Sequence, residues 1–400
     1  MTGFLGFVAL AASLPMAWMS LAKVALFLAG GGRLTLSLVR GHSIPHHLGH
    51  LWSARFVILS VLLFALGLLW TSAPMDFALT AFVKHAKLLM IVLICYMVSN
   101  ASMAGTLIKV WMAGQTFVLL CSLSMALGLT PPWVQLGHSE YVVFAESYID
   151  QSLMFAVAGA LAWHLKDERL WPRWVGVLLA VLFLGDAVVL LPGRTGYLLV
   201  FAMIAMAAYW ALPRKIRLFT AIVLPVVLGV FLYGTSGKVQ NGVDRALAET
   251  LNYGAKHDIA SSSGWRLNAW HRSLQGIAAS PIQGHGTGSW TLTVKSFEGS
   301  NANQVFGSGN SSNPHQEYLL WAVELGMPGL ACLLGLLGAL VWDARRFLEP
   351  STRAMQSVVV CIVITGLFNS VLYDDLIGDF LCISLGLLLA YGNTKNHHEH

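Results

Sequence analysis

The hydrophobic pattern of the chain is a succession of apolar runs, each about 17 to 25 residues long and each closed by polar positions. They fall near 4–29, 52–71, 77–98, 104–128, 148–165, 171–191, 195–211, 216–234, 318–342, 354–372 and 376–392. Runs of this length cross a bilayer as helices, so the pattern predicts an all-α polytopic membrane protein with about 11–12 transmembrane helices. The first run carries Pro15 midway and reads as one span or as a broken hairpin. No basic residue precedes Lys23, so it lacks the charged start of a cleaved signal peptide and is expected to persist. A single long polar stretch interrupts the series, dividing the chain into membrane helices at 1–234, a loop at 235–314 with short amphipathic helices, membrane helices at 315–392 and a tail at 393–400.

Composition agrees with this class: 56 % of the residues are hydrophobic and 11 % charged, far from ordinary soluble domains. Charge then orients the chain. Connections bearing Arg33 and Arg40, Lys166, Arg169 and Arg173, Arg214, Lys215 and Arg217, and Arg345, Arg346 and Arg353 alternate onto one side, which the bias of basic residues makes cytoplasmic. The opposite short connections carry Asp76, Glu140, Glu146, Asp374 and Asp375, with Arg194 as their one cation. The 235–314 loop and the tail therefore lie outside and inside, respectively. Because the net charge of +5 is scattered among short loops, a nucleic-acid partner is not expected. All five cysteines, Cys95, Cys121, Cys332, Cys361 and Cys382, lie within apolar runs, which excludes a disulfide framework in the loop.

Candidate chemistry gathers at the external face. Arg194, in P-G-R-T-G-Y, is either an interfacial anchor or, given how strictly the other short external connections avoid cations, a bidentate phosphate ligand. In the loop, Leu267, Trp270, Leu274 and Ile277 stripe a helix over 263–279. With Ser263 as its N-cap, Arg266 falls in the first turn, where backbone N–H groups already favour an anion. Asp258 is the alternative partner. Asn313 as N-cap and Pro314 as first helical residue put His315 in the first turn of the next span, where the dipole keeps its imidazole neutral and able to accept a proton. Capping or a headgroup contact is the plain alternative for His315. Lys84 and Lys87 share a face inside a span with His85 between them, and their cost of at least ~2.5 kcal/mol each calls for a partner or a polar cavity. Asp186 is the expected structural partner.

Other patterns exclude chemistry. G-H-G-T-G at 284–288 lacks the strand and helix of a nucleotide cradle and is expected to form tight turns near a substrate, and no G-x-x-x-x-G-K-[ST] exists. The histidines His42, His46, His47 and His50 and the terminal H-H-E-H lack metal-site spacing, and the external loop has no D-x-D pair for a divalent ion. The Ser/Gly/Asn-rich stretch at 299–313 predicts a mobile loop.

Four segments together, G-R-T-G-Y (193–197), G-W-R-L-N-A-W (264–270), P-I-Q-G-H-G-T-G (281–288) and N-P-H-Q-E-Y-L-L-W-A-V-E-L-G-M-P-G-L (313–330), resemble the O-antigen ligase family, which also holds O-antigen polymerases and protein O-oligosaccharyltransferases. The resemblance covers about 180–345 by motif and the whole chain by topology. It implies transfer of a glycan from undecaprenyl diphosphate to the lipid A core at the periplasmic face of the inner membrane, inverting and without cofactor or metal. Carried over by motif, Arg194 and Arg266 would grip the diphosphate and His315 would activate the acceptor hydroxyl; Lys84 and Lys87 are further diphosphate candidates outside any motif. The twelve spans expected of ligases would follow from a hairpin at Pro15, and a chain ending soon after its last span argues against a protein acceptor. A transporter or lipid flippase is the alternative of another class, with Lys84, Lys87 and Asp186 along a path.

The orientation has a direct check: single cysteines at Ser300 and Gly309 in a cysteine-free background should react with an impermeant reagent in cells with an accessible periplasm, and one at Thr352 should not. Reversed labelling would overturn it.

Overall fold

A computed structural model describes residues 1–41, 46–132, 141–191, 193–256, 259–299, 302–306 and 313–396. Pro192, Asp258, Glu140, His42, the side chains of His46 and His47, most of 299–313 and the H-H-E-H end lie outside the described residues. Among the described residues all regular structure is helical, as the bilayer demands: with no water to bond backbone N–H and C=O groups, a spanning segment must satisfy them internally.

The first apolar run divides. Helix α1 (Thr2–Ala11) stops before Pro15, and a second, unbroken course follows as α2 (Met16–Leu26), a π turn and α3 (Gly32–Val39). Ten residues reach about 15 Å, half a hydrocarbon core, so α1 does not cross alone; it packs on α8 (Ala101–Ala126), where Gln115 donates to Ala12 O and Ser13 Oγ and Gly114 admits Ser13. After α4 (His46–Gly49) come α5 (Trp52–Gly67), α6 (Met75–Ala86) and α7 (Leu89–Met97), then α8, α9 (Tyr148–Leu165), α10 (Arg173–Val189), α11 (Arg194–Ala211) and α12 (Arg217–Thr235). The loop contains α13 (Gly237–Lys256), α14 (Ser262–Ala279), α15 (Trp290–Ser296) and α16 (Ala302–Phe306). Helices α17 (Glu317–Ala344), α18 (Glu349–Gly366) and α19 (Asp375–Asn396) close the chain. Each apolar run of the sequence is helical, and among the described residues seven helical courses are long and apolar enough to cross a membrane; the chain is an all-α polytopic membrane protein.

Helix α19 is the centre, almost wholly buried among α7, α8, α18, α2 and α1, whereas α12 buries no residue and packs chiefly on α11. One charge pair lies inside the bundle where Lys23 reaches Asp379 at 2.7 Å. At the end of the bundle away from the loop helices, Asp343 caps α5 by accepting from Trp52 N, Ser53 N and Ser53 Oγ.

One irregularity positions the rest. Pro328 lacks an N–H, so the carbonyl of Glu324 four residues earlier has no partner within α17, and Gly326 takes φ +67° there. Gly286 N donates to Glu324 O at 2.8 Å, His285 N to Val323 O at 2.9 Å, and Met327 N turns outward to Pro281 O at 2.8 Å. The segment 281–288 is thereby stitched into the break of α17, and Thr287 continues the seam by bonding Gly67 O and Phe64 O of α5. G-H-G-T-G is thus a packing device. A Cβ on Gly286, at φ +91°, would lie 2.2 Å from Thr71 Cα.

Gly286→Ala should therefore lower stability in detergent by at least about 2 kcal/mol, from positive φ and a backbone clash together, read as a fall in unfolding temperature; Gly185→Ala, where a Cβ meets nothing within 4 Å, is the control.

Candidate active site

Where α11, α17 and α19 begin, side chains from four segments are joined by hydrogen bonds. Arg194 is the first residue of α11, after extended Gly193, and its Nη1 lies 3.5 Å from Ser263 Oγ on α14. Ser263 is not the cap of that helix, contrary to the sequence reading. Ser261 is, accepting from Gly264 N at 3.0 Å, because Glu249 of α13 takes both the N–H and the hydroxyl of Ser263, at 3.2 and 2.5 Å. Arg266 consequently stands in the second turn, not the first. Burial raises the pKa of Glu249, but the two Ser263 bonds, then Arg194 and Arg245, outweigh it and hold the carboxyl below its usual value.

Arg194 and Arg266 line one cavity of about 260 Å³ with Ser263, Leu267, Trp270 and Phe368. Neither guanidinium forms an ion pair with a carboxylate among the described residues. Burial, and then the neighbouring charge of Arg194, lower the pKa of Arg266; two like charges at one partly buried cavity favour an anion between them. Helix α14 also turns differently from its apolar stripe. Its buried face is small and polar, Gly264, Asn268, Ala269, Ser273 and Gly276, with Gly276 close against Thr293 and Val323. Leu267 and Trp270 face the cavity and Leu274 is exposed, so the stripe offers apolar surface to whatever the cavity holds.

His315 departs most from expectation. Helix α17 begins at Glu317 with Gln316 as its cap, the side chain accepting from Leu319 N, and His315 precedes it at φ +49°. Asn313 accepts from His315 N at 2.9 Å, Trp270 Nε1 donates to Pro314 O at 3.1 Å, and Gln316 N donates to Ser370 Oγ at 3.2 Å. The Asn-Pro pair therefore makes a side-chain turn that leads into the helix without being its first turn. The imidazole is half-buried, its edge against the Trp265 ring at 5.6 Å. Its pKa lies below the usual 6.5 because of burial, which outweighs the Asn369 bond, with Arg266 lowering it further. The neutral state was expected; its cause is burial and a cation, not a helix dipole.

Two residues absent from the sequence reading of the site orient this ring. Nδ1 lies 3.0 Å from Asn369 Oδ1, and Asn369 Nδ2 donates to Asp374 Oδ2 at 3.1 Å. When Asp374 is ionised it takes the amide NH₂, so the amide oxygen faces the ring, Nδ1 carries the proton and Nε2 keeps its lone pair. Burial, followed by the charge of Asp150, raises Asp374 to about 7. Glu317 secures the arrangement: it accepts from Leu372 N and Trp321 Nε1, both at 2.8 Å, and ties the α18–α19 turn to the start of α17.

Lys84 and Lys87 are not in the arginine cavity. Lys84 pairs with Asp375 at 3.1 Å and sits 4.9 Å over the Tyr373 ring. Lys87, at the break between α6 and α7, is buried and donates to Tyr373 O at 3.1 Å and Asp374 O at 2.5 Å, with Gly378 leaving room for its ammonium. The expected partner, Asp186, is buried on α10 instead, and both lysines approach Asp375 at the start of α19, at 3.1 and 3.9 Å.

These elements, from α10 into α17, are those matched by the family model for O-antigen ligase, over residues 177–334. The chain has an O-antigen ligase family domain. The match includes Arg194, Arg266, His315 and the 281–288 seam, while Asn369, Asp374 and Lys84 lie beyond it. The family points to glycosyl transfer between a lipid-linked glycan and an acceptor. No curated protein sequence matches the chain.

The His315–Asn369 geometry is open to test by pH. A base must be neutral to act, so with a lowered pKa the rate should be level through pH 7 and fall only below the usual histidine range. Asn369→Leu should cost about 10²-fold or more in kcat by freeing the tautomer. Asn369→Asp should instead move the acid limb of kcat/KM to higher pH, since a carboxylate against Nδ1 raises the imidazole pKa. An unmoved limb would show that Asn369 does not orient the base.

Proposed function

We propose that this protein is an O-antigen ligase of the bacterial inner membrane, transferring a finished polysaccharide from undecaprenyl diphosphate to the lipid A core at the periplasmic face. The observation that carries the reading is one cavity bearing two guanidiniums that have no carboxylate partner among the described residues, beside a neutral histidine whose Nε2 faces away from Asn369. The alternation of basic connections supports the orientation, and 235–314 is the periplasmic unit in this reading.

The chemistry follows from charge. Nε2 of His315 takes the proton of the acceptor hydroxyl as its oxygen bonds to the anomeric carbon, and the bond from that carbon to the diphosphate oxygen breaks with its electron pair on the leaving group. Attack opposite the leaving group inverts the anomeric centre. Arg194 and Arg266 oppose the charge developing on the diphosphate, in forked geometry that lysine cannot copy. Well-placed donors of this kind contribute about 10²–10³ each in kcat, so the pair supplies what a divalent ion would. Leu267, Trp270 and Leu198 provide apolar contact for the first isoprene units.

Arg194→Ala, Arg266→Ala and His315→Ala should each abolish transfer with expression and detergent stability near wild type. Lysine at either arginine should rescue poorly, and activity should survive EDTA. Retention of most activity by both arginine variants would remove the diphosphate clamp. A polymerase uses the same donor chemistry, so the acceptor is tested by gene removal in a host making smooth lipopolysaccharide. Long glycans stranded on undecaprenyl diphosphate with bare core are expected, whereas single repeats on the core would place the protein among the polymerases.

A further inference from the structure

A second cavity, of about 240 Å³, lies between α6 and the start of α15, lined by Phe77, Thr80, Lys84, Gly288, Thr291 and Tyr373. The α18–α19 turn presents Phe368 to the first and Tyr373 to the second, and between these residues stands Asn369, with Asp374 next along, the pair that orients His315. His315, bonded to Asn369, is thus tied through this turn to both cavities.

Their chemistry differs. In the first cavity neither guanidinium is ion-paired with a carboxylate among the described residues. In the second, Lys84 is already neutralised by Asp375 at 3.1 Å, and both side chains are partly open, at 22 % and 30 % exposure. A compensated pair is a poor site for a diphosphate, yet its ammonium donates and its carboxylate accepts, the complement of neighbouring sugar hydroxyls. Phe77, 38 % exposed, adds an apolar face for sugar C–H groups, with the Thr80 and Thr291 hydroxyls nearby. The volume is below that of a drug-sized site, typically at least about 300 Å³, and suits a single sugar ring. Met75, Leu79 and Val83 of α6 are exposed alongside, an apolar margin for a lipid-anchored molecule whose head enters the cavity.

We infer that this Lys84 cavity is the acceptor subsite, holding the uncharged terminal hexose of a membrane-anchored saccharide with its hydroxyl toward His315. The inference rests on the transferase reading above and adds to it the side from which the acceptor enters. An inverting displacement brings the acceptor hydroxyl to the face of the anomeric carbon opposite the diphosphate, so donor and acceptor enter from opposite sides with the base beside the hydroxyl.

The test uses the purified full-length protein with an undecaprenyl diphosphate-linked glycan as donor and lipid A core as acceptor, each varied in turn, alongside direct binding of undecaprenyl diphosphate. Lys84→Met and Phe77→Ala should each raise the acceptor KM about tenfold or more and leave the donor KM and undecaprenyl diphosphate binding unchanged, while Arg194→Ala loses that binding. Phe77→Ala keeps the ion pair intact and so guards against a folding effect of Lys84→Met. Core oligosaccharide freed of its lipid should compete for the acceptor, and competition only by the lipid portion would overturn the sugar assignment. An unchanged acceptor KM in both variants, or weaker undecaprenyl diphosphate binding by Lys84→Met, would overturn the subsite while transfer by wild type still stands. No transfer by wild type and no loss of binding in Arg194→Ala would instead overturn the transferase reading, and the subsite with it.

Discussion

Pro328 takes one N–H out of a membrane helix, and the surroundings of the site follow from where the disturbed bonds are remade. In an apolar medium an unpaired carbonyl costs several kcal/mol, so the carbonyls of Val323 and Glu324 require donors. They find them in His285 N and Gly286 N, which brings the 281–288 segment to membrane depth. That segment in turn fixes α15 and the end of α5 through Thr287, and α15 with α17 gives α14 the surface on which its small face packs. The position of Arg266 is therefore a remote consequence of a proline in α17. Glu317 does the corresponding work for the other half, joining Leu372 to the helix start so that His315 and Asn369 meet.

The two sides of the site handle charge oppositely. Around α6 and α19 every lysine has an acidic or carbonyl partner close by, the condition under which a charge is tolerated within a bilayer. Arg194 and Arg266 line one cavity, and Glu249, the described carboxylate whose charge acts on both, is taken up by Ser263. Folding alone favours pairing; a like-charge pair left at an open cavity is explained by a ligand that completes it.

The helices were legible because bilayer length and apolarity are properties of local sequence, and each apolar run became a helix. Arg194 and Arg266, singled out because one broke the charge bias and the other fell on a loop helix, line one cavity. What the sequence concealed depended on partners distant in the chain. Three consecutive serines, Ser261, Ser262 and Ser263, are equivalent as caps until Glu249 claims one. The apolar stripe of α14 looked like its packing face, but small residues pack closer and leave the large ones for the cavity. Lys84 and Lys87 were matched to Asp186, the one acid in a neighbouring apolar run, when their partners were the acids that open α19. Asn369 and Asp374 carried a usable signal: Asp374 is one of the few acids of the external connections, and it stands beside an Asn in a turn between two spans.

His315 itself lies at φ +49°, a region costing a non-glycine residue about 1 kcal/mol or more. Asn313, Trp270 and Ser370 each bond a backbone group of residues 314–316, and together they over-determine the conformation. Standing outside the helix, the ring escapes the dipole and answers to its neighbours. Burial keeps it neutral, and Arg266 depresses its pKa further. On the proposed reading a diphosphate bound between Arg194 and Arg266 cancels that second influence, so the imidazole regains basicity only when donor is present. An empty site would then hold a weak base, and loading the donor would strengthen it at the moment an acceptor hydroxyl has to be deprotonated.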